Sequence, residues 1–119
     1  MDNKTHLNDF AKEVHDVAKS KGWWDEVPGE SPKSFGDLTA LIHSEISEAF
    51  EEFRNNHDPT ETYFNEGNLK PEGVGVELAD AIIRILDLCA KYGIYIDTCI
   101  AIKHEFNKTR PYRHGGKKI

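Results

Sequence analysis

Residues 74–90, VGVELADAIIRILDLCA, decide the fold. At roughly 100° of rotation per residue, a helix over this stretch sends Val74, Val76, Leu78, Ala79, Ala81, Ile82, Ile83, Ile85, Leu86, Leu88, Cys89 and Ala90 around most of its circumference. One polar stripe remains, formed by Glu77, Asp80, Arg84 and Asp87 at i, i+3, i+7 and i+10. A helix apolar on nearly every other side is buried by neighbours or by another subunit. The stripe is then either the solvated edge of a core helix or a row that faces inward. Three carboxylates and one Arg are a narrower choice than solvation demands, since Lys, Gln or Ser would serve as well.

Upstream, residues 41–53, LIHSEISEAFEEF, repeat the theme. An apolar arc of Leu38, Leu41, Ile42, Ile46, Ala49 and Phe53 encloses Glu45, with Glu48 and Glu52 near one margin. An ionised carboxylate buried without a partner costs several kcal/mol, so Glu45 needs a proton or a cation. Glu45 with Glu48, and Glu77 with Asp80, are i, i+3 pairs that each set two carboxylates on one helical face. Two facing pairs form an oxygen cage suited to a hard divalent cation such as Mg²⁺ or Mn²⁺. Surface helices produce ExxE often; the paired pattern inside apolar helices is the stronger signal. Mg²⁺ in such sites keeps waters and takes further ligands from substrate phosphates, which points to a polyphosphate.

The rest of the chain fits an all-α protein. Residues 5–21 place Leu7, Phe10, Ala11, Val14, Val17 and Ala18 at helical spacing, and Gly22 stops the helix. GWWDEVPGESPKSFG reads as a loop into a second helix from about Ser34 to Asn55. NNHDPTETYFNEGNLKPEGVG is long for a loop, and such loops are commonly functional. A third helix spans about Gly73 to Lys91 and ends at Tyr92–Gly93. A fourth begins near Asp97 and fades before Pro111. With no strand pattern and no repeat, the expectation is a four-helix bundle forming one domain over residues 1–119, with a basic tail from about 108 to 119.

Composition narrows the functional classes. The chain has 119 residues, 38% hydrophobic and 30% charged, with no apolar run near the roughly 20 residues of a membrane span. The opening MDNKTHLNDF has neither a basic nor an apolar leader region, so a cytoplasmic location is expected, with no membrane partner. Cys89 and Cys99 match no metal or redox spacing and read as reduced core residues. The formal charge of −6 argues against a nucleic-acid polymer as partner. Lys and Arg nevertheless dominate residues 103–119. Lys103, Asn107 and Arg110 recur at i, i+4 and i+7, a line of donors for phosphate oxygens or, alternatively, a solvated stripe.

HSEISEAFEEFR (43–54), KPEGVGVELADAIIRILD (70–87) and KHEFNKTRPYRHGGK (103–117) together resemble the MazG-like all-α nucleoside triphosphate pyrophosphohydrolases, over roughly residues 7–117. The resemblance implies Mg²⁺-dependent hydrolysis of nucleoside or deoxynucleoside triphosphates between the α and β phosphates, with Mn²⁺ as substitute. It also implies a homodimer or dimer of dimers. Mapped onto the ExxE and ExxD elements, Glu45, Glu48, Glu77 and Asp80 are the expected metal ligands. Glu48, or else Glu45, is the expected general base. Lys103, Asn107 and Arg110 would contact phosphates, with Arg113 and Lys117 as accessory cations. Trp23 or Trp24 would stack on the base, and Tyr63 and Phe64 would cover substrate or a subunit contact. This chain has Ser44 where many members carry an acidic residue, a gap that Glu52 or Glu51 would fill. Relatives point towards the deoxynucleotide pool or noncanonical nucleotides, while the residues themselves do not select a base. His15 and His104 are expected at solvent or a neighbour, and no His is assigned to metal. The competing reading is a non-catalytic oligomerisation or partner-binding module in which the carboxylate stripes pair with Arg84. A ferritin-like di-iron centre would need ExxH, which neither acidic helix contains.

Overall fold

The fold, seen in a computed structural model that describes residues 6–118, is built on helices α1 (Leu7–Ser20), α2 (Phe35–Arg54), α3 (Val74–Tyr92) and α4 (Ile96–Thr109). A single turn, α5 (Arg113–Gly116), follows in the basic tail. The expectation of no strand is corrected by a short antiparallel hairpin, β1 (Tyr63–Phe64) with β2 (Pro71–Glu72), paired Tyr63 to Glu72 and Phe64 to Pro71. Two-residue strands are too short to show an alternating pattern.

Local signals fix the helix ends. Ser34 and Asp37 form a capping box, Asp37 N–H donating to Ser34 Oγ at 3.0 Å and Ser34 N–H to Asp37 Oδ2 at 2.8 Å. At the C-terminus of α3, Gly93 takes the left-handed conformation (φ 68°) and Ile94 N–H donates to Cys89 O at 2.8 Å. Gly73 opens α3 at φ 135°, and a Cβ there would collide with the Glu61 carbonyl oxygen. The hairpin and the helix start can therefore join only through glycine.

α3 is the central element, with α2 packed on one side and α1 on another. Ala11 of α1, Ala49 of α2 and Ala81 of α3 are buried, together with Leu86, Leu88 and Cys89. Small side chains on the facing surfaces let the helices approach closely around Leu86. α4 instead meets α1 and makes no extended contact with α2 or α3.

The α1–α4 contact is a reciprocal cap. Both carboxylate oxygens of the buried Asp97 accept from α1, Oδ1 from Leu7 N–H and Oδ2 from Asn8 N–H, each at 2.9 Å. Asp97 N–H in turn donates to Asn8 Oδ1 at 3.1 Å. The Asp97 carboxylate thus serves the N-terminus of α1 and the Asn8 amide oxygen that of α4, each satisfying backbone donors that the helix leaves open.

One chain consequently holds four long helices without closing a bundle. Ile46, Phe50 and Phe53 on α2, Leu78, Ile82 and Ile83 on α3, and Ile102 and Phe106 on α4 are exposed. The nearly all-round apolar character of α3 exceeds what α1 and α2 cover. Two further expectations are corrected. Cys99 is exposed rather than core, although both cysteines are free. His15, expected at solvent or a neighbour, is largely buried against Asp87 of its own chain. No helix among the described residues is long and apolar enough to cross a membrane.

Candidate metal centre

Glu45 and Glu48 project from α2 towards Glu77 in the first turn of α3, and ligand atoms of all three lie within 4.8 Å of one another. Glu45 and Glu77 are each 7% exposed, whereas Glu48 is open to solvent. The helical register explains the convergence. Ala49 and Ala81, the small residues on the α2 and α3 faces, sit one turn from the glutamates and bring the two backbones together.

Like charges this close must be offset. Arg84 Nε donates to Glu45 Oε1 at 2.9 Å, which answers why a carboxylate survives in the apolar arc of α2. Among the described residues Glu77 has no such cationic partner. Burial first, then hydrogen bonding and repulsion from Glu48 and contact with Glu45, raise its carboxyl to about 7. Asp80 is also raised, by burial and by the Glu45 charge, against the pull of Arg84 and Lys70. It stands outside the three-glutamate group.

The donor set fits a small hard cation. An octahedral ion with metal–oxygen bonds of about 2.1 Å holds its ligand oxygens about 3.0–4.2 Å apart. From separations of up to 4.8 Å, the carboxylates would close by up to about 1.8 Å to take neighbouring positions on such an ion. All three donors are oxygen, as Mg²⁺ or Mn²⁺ prefers, and a bound dication would relieve the repulsion that helps to raise Glu77.

The residues suggested to fill the gap at Ser44 are engaged elsewhere. Ser44 Oγ donates to its own helix at Leu41 O, 2.6 Å away. Glu51 accepts from Arg54 at 2.8 Å. Glu52 accepts from Tyr63 Oη at 3.0 and 2.8 Å, with His57 Nε2 at 3.6 Å. That bond pushes the Tyr63 phenol up to about 12 and ties the hairpin to α2. Phe64 remains exposed.

The two tryptophans divide. Trp24 Nε1 donates to both oxygens of Asp87 at 3.1 Å, His15 Nδ1 lies 2.6 Å from Asp87 Oδ1, and the two rings meet edge to face. Asp87, the last member of the α3 stripe, thus pins α1 and the loop after it to α3. Its spacing in the stripe was visible in sequence; its partners, 63 and 72 residues away, were not. Trp24 also walls a small cleft with Leu38, Leu41, Arg84, Asp87 and Leu88. Trp23 is 70% exposed, with Lys33 Nζ 5.8 Å from its ring centroid.

The cations assigned to phosphate lie on a different element. Lys103 and Arg110 flank the exposed Phe106 on α4, at 5.2 and 5.6 Å from its ring, and Asn107 is exposed beside them. Among the described residues none of the three bonds to the carboxylates of α2 or α3. Arg113 and Lys117, in and just after α5, are exposed. Comparison of the chain with protein-family models, with curated proteins and with solved structures gives no match.

Proposed function

We propose that the chain is a divalent-metal-dependent nucleoside triphosphate pyrophosphohydrolase, releasing monophosphate and pyrophosphate and acting on deoxynucleotides or noncanonical nucleotides. The observation that carries the proposal is the convergence of Glu45, Glu48 and Glu77 from two helices at a spacing suited to one hard cation. The motif resemblance supplies the reaction class. In this reading Glu45, Glu48 and Glu77 hold Mg²⁺ or Mn²⁺, with Asp80 one turn further along α3.

Bound there, the ion would neutralise phosphate charge and acidify a coordinated water. Glu48 is the favoured general base, because it is open to solvent while Glu45 is buried and occupied by Arg84. Trp23 offers the exposed aromatic ring for a base, since the indole N–H of Trp24 is committed to Asp87. Lys103, Asn107 and Arg110 would stabilise the leaving pyrophosphate. Their helix lies against α1 in its own chain, so this role goes with a homo-oligomer, which the exposed apolar faces of α2, α3 and α4 favour.

Those same faces and the Arg84–Glu45 pair also suit the second reading, a non-catalytic binding module. The deciding experiment measures pyrophosphate release from ribo- and deoxynucleoside triphosphates with Mg²⁺, Mn²⁺ or EDTA, for the wild type, Glu48→Gln and Asp80→Asn. Metal-dependent release of both products, lost in both variants, is expected. A folded wild type that cleaves nothing, with both variants more stable in EDTA, would replace the enzyme with the module.

A further inference from the structure

We infer that Arg84 joins the carboxylate group to the polyphosphate, its Nε holding Glu45 while its two terminal nitrogens receive phosphate oxygens. The inference rests on the metal-centre reading above.

Arg84 makes one hydrogen bond among the described residues, from Nε to Glu45 Oε1 at 2.9 Å. Among the described residues Nη1 and Nη2 have no hydrogen-bond partner. A guanidinium committed only to neutralising a carboxylate would present two parallel N–H groups to it, the bidentate geometry that gains most. Here the contact is single, and it leaves unused the donors best suited to an anion.

Location agrees with this division. The Arg84 side chain is 44% exposed while the Glu45 side chain it holds is 10% exposed, so the arginine runs from the buried carboxylate out to solvent. Arg84 also borders the small cleft with Trp24 and Leu38. It stands on the same helix as Glu77 and Asp80, at i+7 and i+4, and belongs to the same chain as the three glutamates. Unlike the α4 cations, it reaches the centre without a second subunit. A cation there would sit beside a bound divalent ion without competing for its ligands, because the Nε bond takes only one Glu45 oxygen.

The test uses full-length wild type and Arg84→Lys, which keeps the positive charge beside Glu45 and loses the fork. Mn²⁺ binding is followed by electron paramagnetic resonance, and inorganic pyrophosphate binding by calorimetry at saturating Mg²⁺. The expected result is Mn²⁺ affinity within about threefold of wild type and pyrophosphate affinity reduced about tenfold or more, the scale of charged hydrogen bonds. Unchanged pyrophosphate affinity would overturn the phosphate contact. Pyrophosphate affinity falling only in proportion to Mn²⁺ affinity would make Arg84 a positioning residue for Glu45 alone, and would equally overturn it. A wild type that binds Mn²⁺ but no pyrophosphate would leave the metal centre standing and remove the Arg84 role. A wild type that binds no Mn²⁺ would remove both.

Discussion

Replacing Glu77 with Gln is expected to stabilise the metal-free chain at pH 8 and to destabilise it by about 1 kcal/mol at pH 4. Burial and the neighbouring Glu48 and Glu45 raise the Glu77 carboxyl from 4.5 to about 7. The folded chain therefore holds this proton more tightly than the unfolded chain. The resulting stabilisation is complete below about pH 4.5 and is lost as pH rises through about 7. At ~1.36 kcal/mol per pH unit the loss amounts to at most about 3 kcal/mol. Gln never ionises, but an imperfectly paired buried amide returns about 1 kcal/mol of that gain. The net effect at pH 8 is about 2 kcal/mol, or roughly 8 °C in Tm for a domain of this size. Thermal unfolding followed by circular dichroism in EDTA, from pH 4 to 8.5 at one protein concentration, measures it. Saturating Mg²⁺ or Mn²⁺ should reverse the order, because the wild type gains a ligand that the variant lacks. Tm values that run parallel for the two proteins across the whole pH range would refute the reasoning, since Glu77 could not then be held against like charges.

Three further outcomes follow from contacts away from the centre. Asp97→Ala strips both Leu7 and Asn8 N–H groups of their acceptor and should cost about 2–3 kcal/mol in denaturant unfolding, with Asp97→Asn costing less. Gly73→Ala meets both the positive φ and the Glu61 carbonyl, so a loss of about 3 kcal/mol or more is expected in the same assay. Trp23→Ala should change stability by less than about 0.5 kcal/mol, whereas Trp24→Phe, which removes the donor to Asp87, should cost about 1–2 kcal/mol. Equal losses for the two tryptophans would contradict the division of their roles.

Helix content was legible because the apolar spacing and the punctuation agree locally. Ser34 with Asp37 announces α2, Gly93 ends α3, and both ends fall within a residue or two of expectation. The need of Glu45 for a partner was also readable, since a carboxylate inside an apolar arc demands a compensating charge, and Arg84 supplies it. The approach to Glu77 followed from the i, i+3 spacing of Glu45 and Glu48 on one face of α2. Asp80 shows the limit of that reasoning. Its i+3 spacing puts it on the same face as Glu77, but spacing alone does not say how far along the face α2 reaches. The partners of Asp87 and Asp97 depend on which helices become neighbours, and helical period carries no such information. The same holds for α4, whose anchor to α1 is a cap formed across about ninety residues.

The hairpin between the acidic helices separates chain length from helical phase. Residues 65–70 form its exposed tip, so extra residues there need not disturb the pairing of Tyr63 with Glu72 or of Phe64 with Pro71. Beyond β2 there is no slack. Glu77 N–H bonds to Gly73 O at 3.0 Å, and one residue inserted between Glu72 and Glu77 would turn the glutamate about 100° away from α2. The distance in sequence between the two acidic pairs is therefore elastic on one side of β2 and rigid on the other.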